Sequence, residues 1–408
     1  MPFKLKMLLI LIISIGASQR MGAQAVEPAT GARHPRFELS SDMFGFDAPS
    51  TQLFLGWQRN MNSMLQIGLD RLSGCLDQSR PESWIWRLSL LGAFSAVSTV
   101  ANRAFSITAH DVHHLEAARA IGATTAKMVR SDNGSDMSIW EFFLEAFNPG
   151  SEPGLYLYSK SNPTPDEQAY VAGIGLDANM MIADSIAGRI VRGEGNVMDL
   201  APYVLNKAWG IGYFMEAGPT SDAAFYMSLL RGQGYDAVTR DSVIALNAAS
   251  WLLSGGMLSL AMGAIDYIAG LRSAVRPLGI SIGDTSLYWP ELTTWLNPQN
   301  VSLLVLVNAA WREIFLARLG IEVPVLGNTG VNPEVTIGAT VWISSVGLGL
   351  DVTSQFDGFP FLKGRAEIRL SDMFSAGIEG FYGERTTMRE VREYPSGPGM
   401  AAFLTAAF

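Results

Sequence analysis

EVTIGATVWI, residues 334 to 343, sets Val335, Ile337, Ala339, Val341 and Ile343 against smaller or polar partners. A period of two marks a strand whose two faces meet different surroundings. The same texture continues on both sides. VSLLVLVNAA, REIFLARLGIEVPVLG, VGLGLDVTSQF, KGRAEIRLSD, FSAGIEGFYGERTT and MAAFLTAAF are short runs rich in β-branched and aromatic residues. Asn, Gly, Pro and Asp turns separate them at about ten-residue intervals, the signature of an antiparallel meander. The spacing predicts such a β-domain over residues 281–408.

Upstream the period changes. SWIWRLSLLGAFSAVSTVANRAF (83–105), SIWEFFLEAF, stopped by Asn148-Pro149-Gly150, and GLDANMMIADSIAGRIVRG (175–193) read as helices. The expected fold class is therefore α+β: an all-helical domain over 51–280, then the meander, with a closed barrel as its stricter version. Two domains also suit a chain of 408 residues. Residues 26–50 carry Pro, Gly and Ser without periodicity and read as a linker. Residues 1–25 read as a signal peptide. Lys4 and Lys6 precede the apolar MLLILIISIGA, and Ala23 to Ala25 offer a small-residue cleavage site.

Hydrophobic residues make up 48% of the chain and charged residues 16%, a balance that leans toward membrane association. A net charge of -9 argues against a nucleic-acid partner, which needs a clustered basic surface. Cys75 is the single cysteine, so no internal disulfide forms. The sequence has no phosphate-binding G-x-x-x-x-G-K-[ST] loop, no dinucleotide-binding fingerprint and no G-x-S-x-G elbow.

Two segments pull against each other. Residues 242–265 carry no charge and are long enough to span a bilayer, yet Asn247, its serines and Gly255-Gly256 suit a buried helix equally well. The meander's strand lengths and alternation are those of a lipid-facing barrel. Its last strand sets Met400, Ala402, Leu404 and Ala406 on one face and ends on Phe408. It resembles the terminal strand of bacterial outer-membrane barrels. A strong membrane helix would stop export at the inner membrane, so one of these two readings has to yield. Export to the cell envelope is expected, with the outer membrane favoured over the periplasm.

The chemistry concentrates in ITAHDVHHLEAARAIG (107–122), which holds three of the four histidines. HDVHH fits H-E-x-x-H with aspartate for glutamate. Residues i and i+4 share a helical face, so His110 and His114 can both reach one tetrahedral zinc ion. Asp111 is then the candidate acid–base residue, one methylene shorter than the usual glutamate. His113 lies off that face.

A third ligand has to come from elsewhere. Together HDVHHLEAARAIG and MMIADSIAGR resemble the two site helices of gluzincin metallopeptidases, in particular the CAAX-protease-like membrane group. There H-E-x-x-H is followed on a later helix by E-x-x-A-D-x-x-A, whose glutamate binds zinc and whose aspartate orients a ligating histidine. Ala183, Asp184 and Ala187 match that pattern, while the glutamate position falls on Met180, a poor zinc ligand. The resemblance implies zinc, a peptide or protein substrate, and Asp184 in the centre. Asp177, two turns before Asp184, is the substitute ligand. The rival expectation is an envelope assembly or adaptor protein, or an outer-membrane barrel, that kept the fold and lost the chemistry.

Overall fold

The computed structural model describes residues 24–25, 36–40, 50–76, 82–148, 154–218, 221–312, 314–355, 360–371, 374–383 and 399–407. Residues 1–23 of the expected signal peptide, and the terminal Phe408, lie outside these. Among the described residues the helices are α1 (Thr51–Gly74), α2 (Ser83–Ala120), α3 (Ile139–Glu145), α4 (Pro165–Val191), α5 (Leu200–Met215), α6 (Asp222–Gly232), α7 (Arg240–Leu252) and α8 (Gly255–Ile268). The early strands are β1 (Gln24–Ala25), β2 (Arg36–Ser40), β3 (Thr125–Val129), β4 (Asp136–Met137) and β5 (Leu155–Ser159). The meander supplies β6 (Leu278–Ile282), β7 (Thr285–Tyr288), β8 (Glu291–Leu296), β9 (Asn300–Trp311) and β10 (Phe315–Gly327). It continues through β11 (Glu334–Ile343), β12 (Val346–Ser354), β13 (Phe361–Arg369), β14 (Phe374–Tyr382) and β15 (Gly399–Ala407).

The meander is one antiparallel sheet of 12 strands in the order β1-β6-β7-β9-β10-β11-β12-β13-β14-β15-β2, with β8 also on β9. The α+β class holds. The barrel is not closed: the ladder ends on β1 and β2, with no pairing between them among the described residues. The β2 edge is covered instead. Asn60 of α1 accepts from the Glu38 backbone N–H at 2.9 Å and donates to the Glu38 carbonyl at 2.8 Å. An edge strand's free groups are thereby satisfied by a helix side chain.

The alternation that predicted β11 is present with its polarity reversed from that of a soluble sheet. Glu334 is 2% exposed while Ile337 is 62% exposed. Ile343, Leu348, Leu350, Ile368, Ile378, Met400 and Leu404 are also exposed, while Glu322, Thr353, Glu367 and Thr405 are buried. The inward charges pair across strands, Arg318 to Asp351 at 2.9 Å and Lys363 to Glu379 at 3.1 Å. Arg365 reaches Glu38 of the edge strand at 3.5 Å. Between this face and α1 and α4 lies a cavity of about 280 Å³ lined by Arg59, Asp184, Glu322 and Arg365 among others. From β11 to β15 the charged and polar row lies inside and exposed aliphatics outside, whereas Val301, Leu303 and Leu326 of β9 and β10 pack as apolar core against the helices.

Four features depart from the reading by sequence. Arg36–Ser40, inside the expected linker, is strand β2 on β15, because Glu38 is needed at Arg59 and Arg365. The continuous meander begins at Leu278, three residues ahead of the expected boundary at 281, and takes in β1 and β2 from far upstream at its two ends. The helical region is interrupted by a small sheet of order β4-β3-β5, whose strands TAKMV and LYLYS are too short to register against a helical background. Residues 242–265 are α7 and α8, bent by 47° where the Ser254 side chain caps α8. Ser83–Ala120 is the one described helix long and apolar enough to cross a membrane, and the bent pair passes the same test if counted as one span.

The two halves are pinned by a buried ion pair. Lys207 of α5 lies 3.1 Å from Glu291 of β8 and donates to the Leu292 carbonyl. Glu291 also accepts from Tyr203 at 2.7 Å and from the Gly256 backbone at 2.8 Å.

Candidate metal centre

α2 carries its histidines into the helical core. His110 is 7% exposed and His114 fully buried. α4 crosses behind them, its start fixed by Pro165 in the first turn and a capping box between Thr164 and Glu167. Its closest approach is Gly175. A methyl group there would lie 2.2 Å from His114 Nε2 and 2.7 Å from His110 Nε2, so only glycine leaves the two nitrogens room.

The hydrogen-bond chain settles both tautomers, starting from backbone carbonyls that can only accept. Asn206 Nδ2 donates to the Pro202 carbonyl at 2.7 Å, which turns its Oδ1 toward Asn179 Nδ2 at 3.0 Å. Asn179 Oδ1 therefore faces His110 Nδ1 at 3.1 Å, and that nitrogen is the N–H. His114 Nδ1 likewise donates to the Val171 carbonyl. Both Nε2 atoms are left as lone pairs, 3.2 Å apart and facing each other. Burial lowers the pKa of His110, and pushes that of His114 down to about 3, against the opposing pull of Asp222. Burial thus opposes a positive charge on either ring.

Asp222, at the first turn of α6, supplies the negative charge. Its Oδ2 lies 3.5 Å from His114 Nε2, and His110, His114 and Asp222 offer ligand atoms all within 4.8 Å of one another. Two facing lone pairs beside a carboxylate form a place that a cation could fill. The cluster can hold a metal ion. Around zinc with bonds of ~2.0–2.1 Å, tetrahedral neighbours stand about 3.3 Å apart. The His110–His114 and His114–Asp222 separations of 3.2 Å and 3.5 Å are near this, while the remaining separation, within 4.8 Å, has to shorten for one ion to bind all three.

The surroundings are aromatic. Tyr156 of β5 stacks on His114 with centroids 4.0 Å apart and planes at 10°, and its hydroxyl donates to Asp222 Oδ1 at 2.8 Å. Tyr213 of α5 meets the His110 ring edge-on at 5.4 Å and donates to Asp222 Oδ2 at 3.0 Å. Burial, and then Asp222, raise both hydroxyls' pKa values, so they remain donors. Asp111 lies beside the centre, and burial followed by repulsion from Asp222 raises its carboxyl well above the usual range.

The expected third ligands lie elsewhere. Asp177 accepts from the Leu296 backbone N–H at 2.9 Å, and Asp184 accepts from the Thr293 hydroxyl. At ~100° per residue they stand about 200° and 180° around α4 from Gly175, on the face turned to β8. Met180 packs with Met181 and Trp295. His113 turns from the centre to Thr51 Oγ1 at 3.0 Å and Glu116 at 3.2 Å. Asn179, four residues from Gly175, shares the histidine face. Asp222, Asn179, Gly175, Tyr156 and Tyr213 were not singled out by sequence. A carboxylate after the Ser221 cap reads as a helix start, and the tyrosines have no spacing that ties them to HDVHH.

Searched against protein-family models, curated proteins and solved structures, the chain matches none, and the motif resemblance to gluzincins rests on its own residues.

Proposed function

We propose that this is an exported, membrane-seated envelope protein whose helical part binds zinc on His110, His114 and Asp222 and hydrolyses peptide bonds. The observation that carries the metal is the pair of Nε2 lone pairs held face to face by Asn179 and the Val171 carbonyl. Three protein ligands leave a fourth position for substrate, the arrangement of catalytic rather than structural zinc. When bound, the ion supplies Lewis acidity and a nucleophile drawn from water near neutral pH. Asp111, the acid next to His110 in HDVHH, would deliver a proton to the departing amine nitrogen. The peptide substrate is supported by the HDVHH spacing.

The membrane part of the proposal is supported by the outward-facing Ile337, Leu348, Leu350, Ile368 and Ile378 of β11 to β14, an apolar band of the kind that meets lipid. The open ladder needs its edges paired or covered before it can do so. The two surroundings make different demands on one substitution. Ile337→Arg on the outer face is expected to cost about 2–4 kcal/mol in a bilayer, against no more than ~0.5 kcal/mol on a watery surface. Urea unfolding in vesicles and membrane partitioning of the variant measure this. A neutral result contradicts the lipid-facing sheet and leaves the metal centre untouched.

The catalytic part is tested on the purified full chain with a peptide library. Chelator-sensitive cleavage that is restored by zinc and lost in Asp111→Asn is expected. Stoichiometric zinc with no cleavage would overturn the peptidase reading in favour of an assembly or adaptor role. Cleavage indifferent to chelators would overturn the role of the metal in it.

A further inference from the structure

We infer that Tyr156 and Tyr213 form a clamp that makes Asp222 bind through one oxygen, and that this clamp sets which metal ion the centre accepts. The inference rests on the zinc reading above. Each tyrosine touches two of the three ligands. Tyr156 stacks on His114 and donates to Asp222 Oδ1 at 2.8 Å, while Tyr213 meets His110 and donates to Oδ2 at 3.0 Å. Oδ2 is the oxygen turned to His114 Nε2, at 3.5 Å. Oδ1 is engaged by Tyr156, so the carboxylate is held to one point of attachment.

That restriction has a chemical consequence. Zinc is content with four ligands, whereas manganese, a harder ion, favours more oxygen donors around it. A carboxylate free to swing into two-oxygen binding raises the coordination number, and one fixed at both oxygens opposes this. The clamp therefore favours zinc over manganese. It also gives the small sheet a role in the centre: β5, inserted between α2 and α4, brings the hydroxyl that engages Oδ1.

Tyr156→Phe and Tyr213→Phe remove the hydroxyls and retain the rings. Zinc and manganese affinities of the full chain are measured by competition with a chromophoric chelator, alongside the visible spectrum of the cobalt(II) form. Loss of such an outer partner typically weakens metal binding ~10–100-fold. Tyr156→Phe should show a drop of this size for zinc with a much smaller one for manganese. Its cobalt absorption should weaken as the coordination number rises. Thermal unfolding of the metal-free variants should stay near that of the parent, and Tyr156→Leu, which also frees Oδ1, carries the same test if Tyr156→Phe does not fold. Folded variants with an unchanged zinc-to-manganese ratio and cobalt spectrum would overturn the clamp while the zinc reading stands. Equal losses for both ions would overturn the selectivity. A parent chain that binds neither zinc nor cobalt would overturn the zinc reading and the clamp together.

Discussion

Gly175→Ala is expected to remove zinc binding almost completely, with a loss at or beyond the upper end of the ~10–100-fold range for disturbed outer partners. The added methyl would stand 2.2 Å from His114 Nε2 and 2.7 Å from His110 Nε2, inside the space the two lone pairs share. Ordinary contact needs roughly 3.4 Å or more, so at least one ring has to retreat by about 1 Å. Metal–ligand distances tolerate only ~0.2 Å. Overpacking of this kind costs typically 1–3 kcal/mol, which a helical core of this size can absorb. Gly212→Ala is the matched control, because nothing lies within 4 Å of its added methyl. It should bind zinc normally and gain up to ~1 kcal/mol from helix propensity. Calorimetric zinc titration of both variants checks the pair. Normal binding by Gly175→Ala would show that the histidines do not meet at α4.

The second large effect concerns the junction of the two halves. Lys207→Ala leaves Glu291 buried, at 5% exposure, without its cation 3.1 Å away. Removing one partner of a buried pair costs about 3–5 kcal/mol, because the remaining charge has no solvent. Lys207→Met with Glu291→Leu removes both charges and should recover much of that loss, though Tyr203 and the Gly256 N–H then lose their acceptor. Chemical denaturation of the three chains measures this. A Lys207→Ala chain as stable as the parent would mean that the pair is solvated.

The fold was largely legible because its signals are local. A period of two in EVTIGATVWI requires a strand wherever the chain goes, but it cannot say which face meets the protein. Here Glu334 and Thr336 turn inward and Ile337 outward, on the side of the sheet that carries Arg318 on neighbouring β10 and Lys363 and Arg365 two strands away on β13. Strand β2 was hidden because its reason lies far away in sequence, at Arg365.

The site was half legible. HDVHH gave His110 and His114, whose pairing follows from helical geometry alone. The third ligand did not follow, since ADSIA turns Asp177 and Asp184 toward β8 and only the rotation of α4 decides that. Asp222 comes from another helix, and its role is visible only when α6 is seen beside Tyr156 and Tyr213. Asn179 carries no charge to draw attention, yet its amide, anchored through Asn206 to a carbonyl, fixes the tautomer of His110.

X-ray absorption at the zinc edge of the zinc-loaded chain tests the centre most directly. The expected result is a shell of nitrogen and oxygen at ~2.0–2.1 Å with the outer scattering of two imidazoles and no sulfur. One imidazole should be lost in His114→Ala, with weakened zinc retention. A shell with fewer than two imidazoles, or one unchanged by His114→Ala, would contradict it.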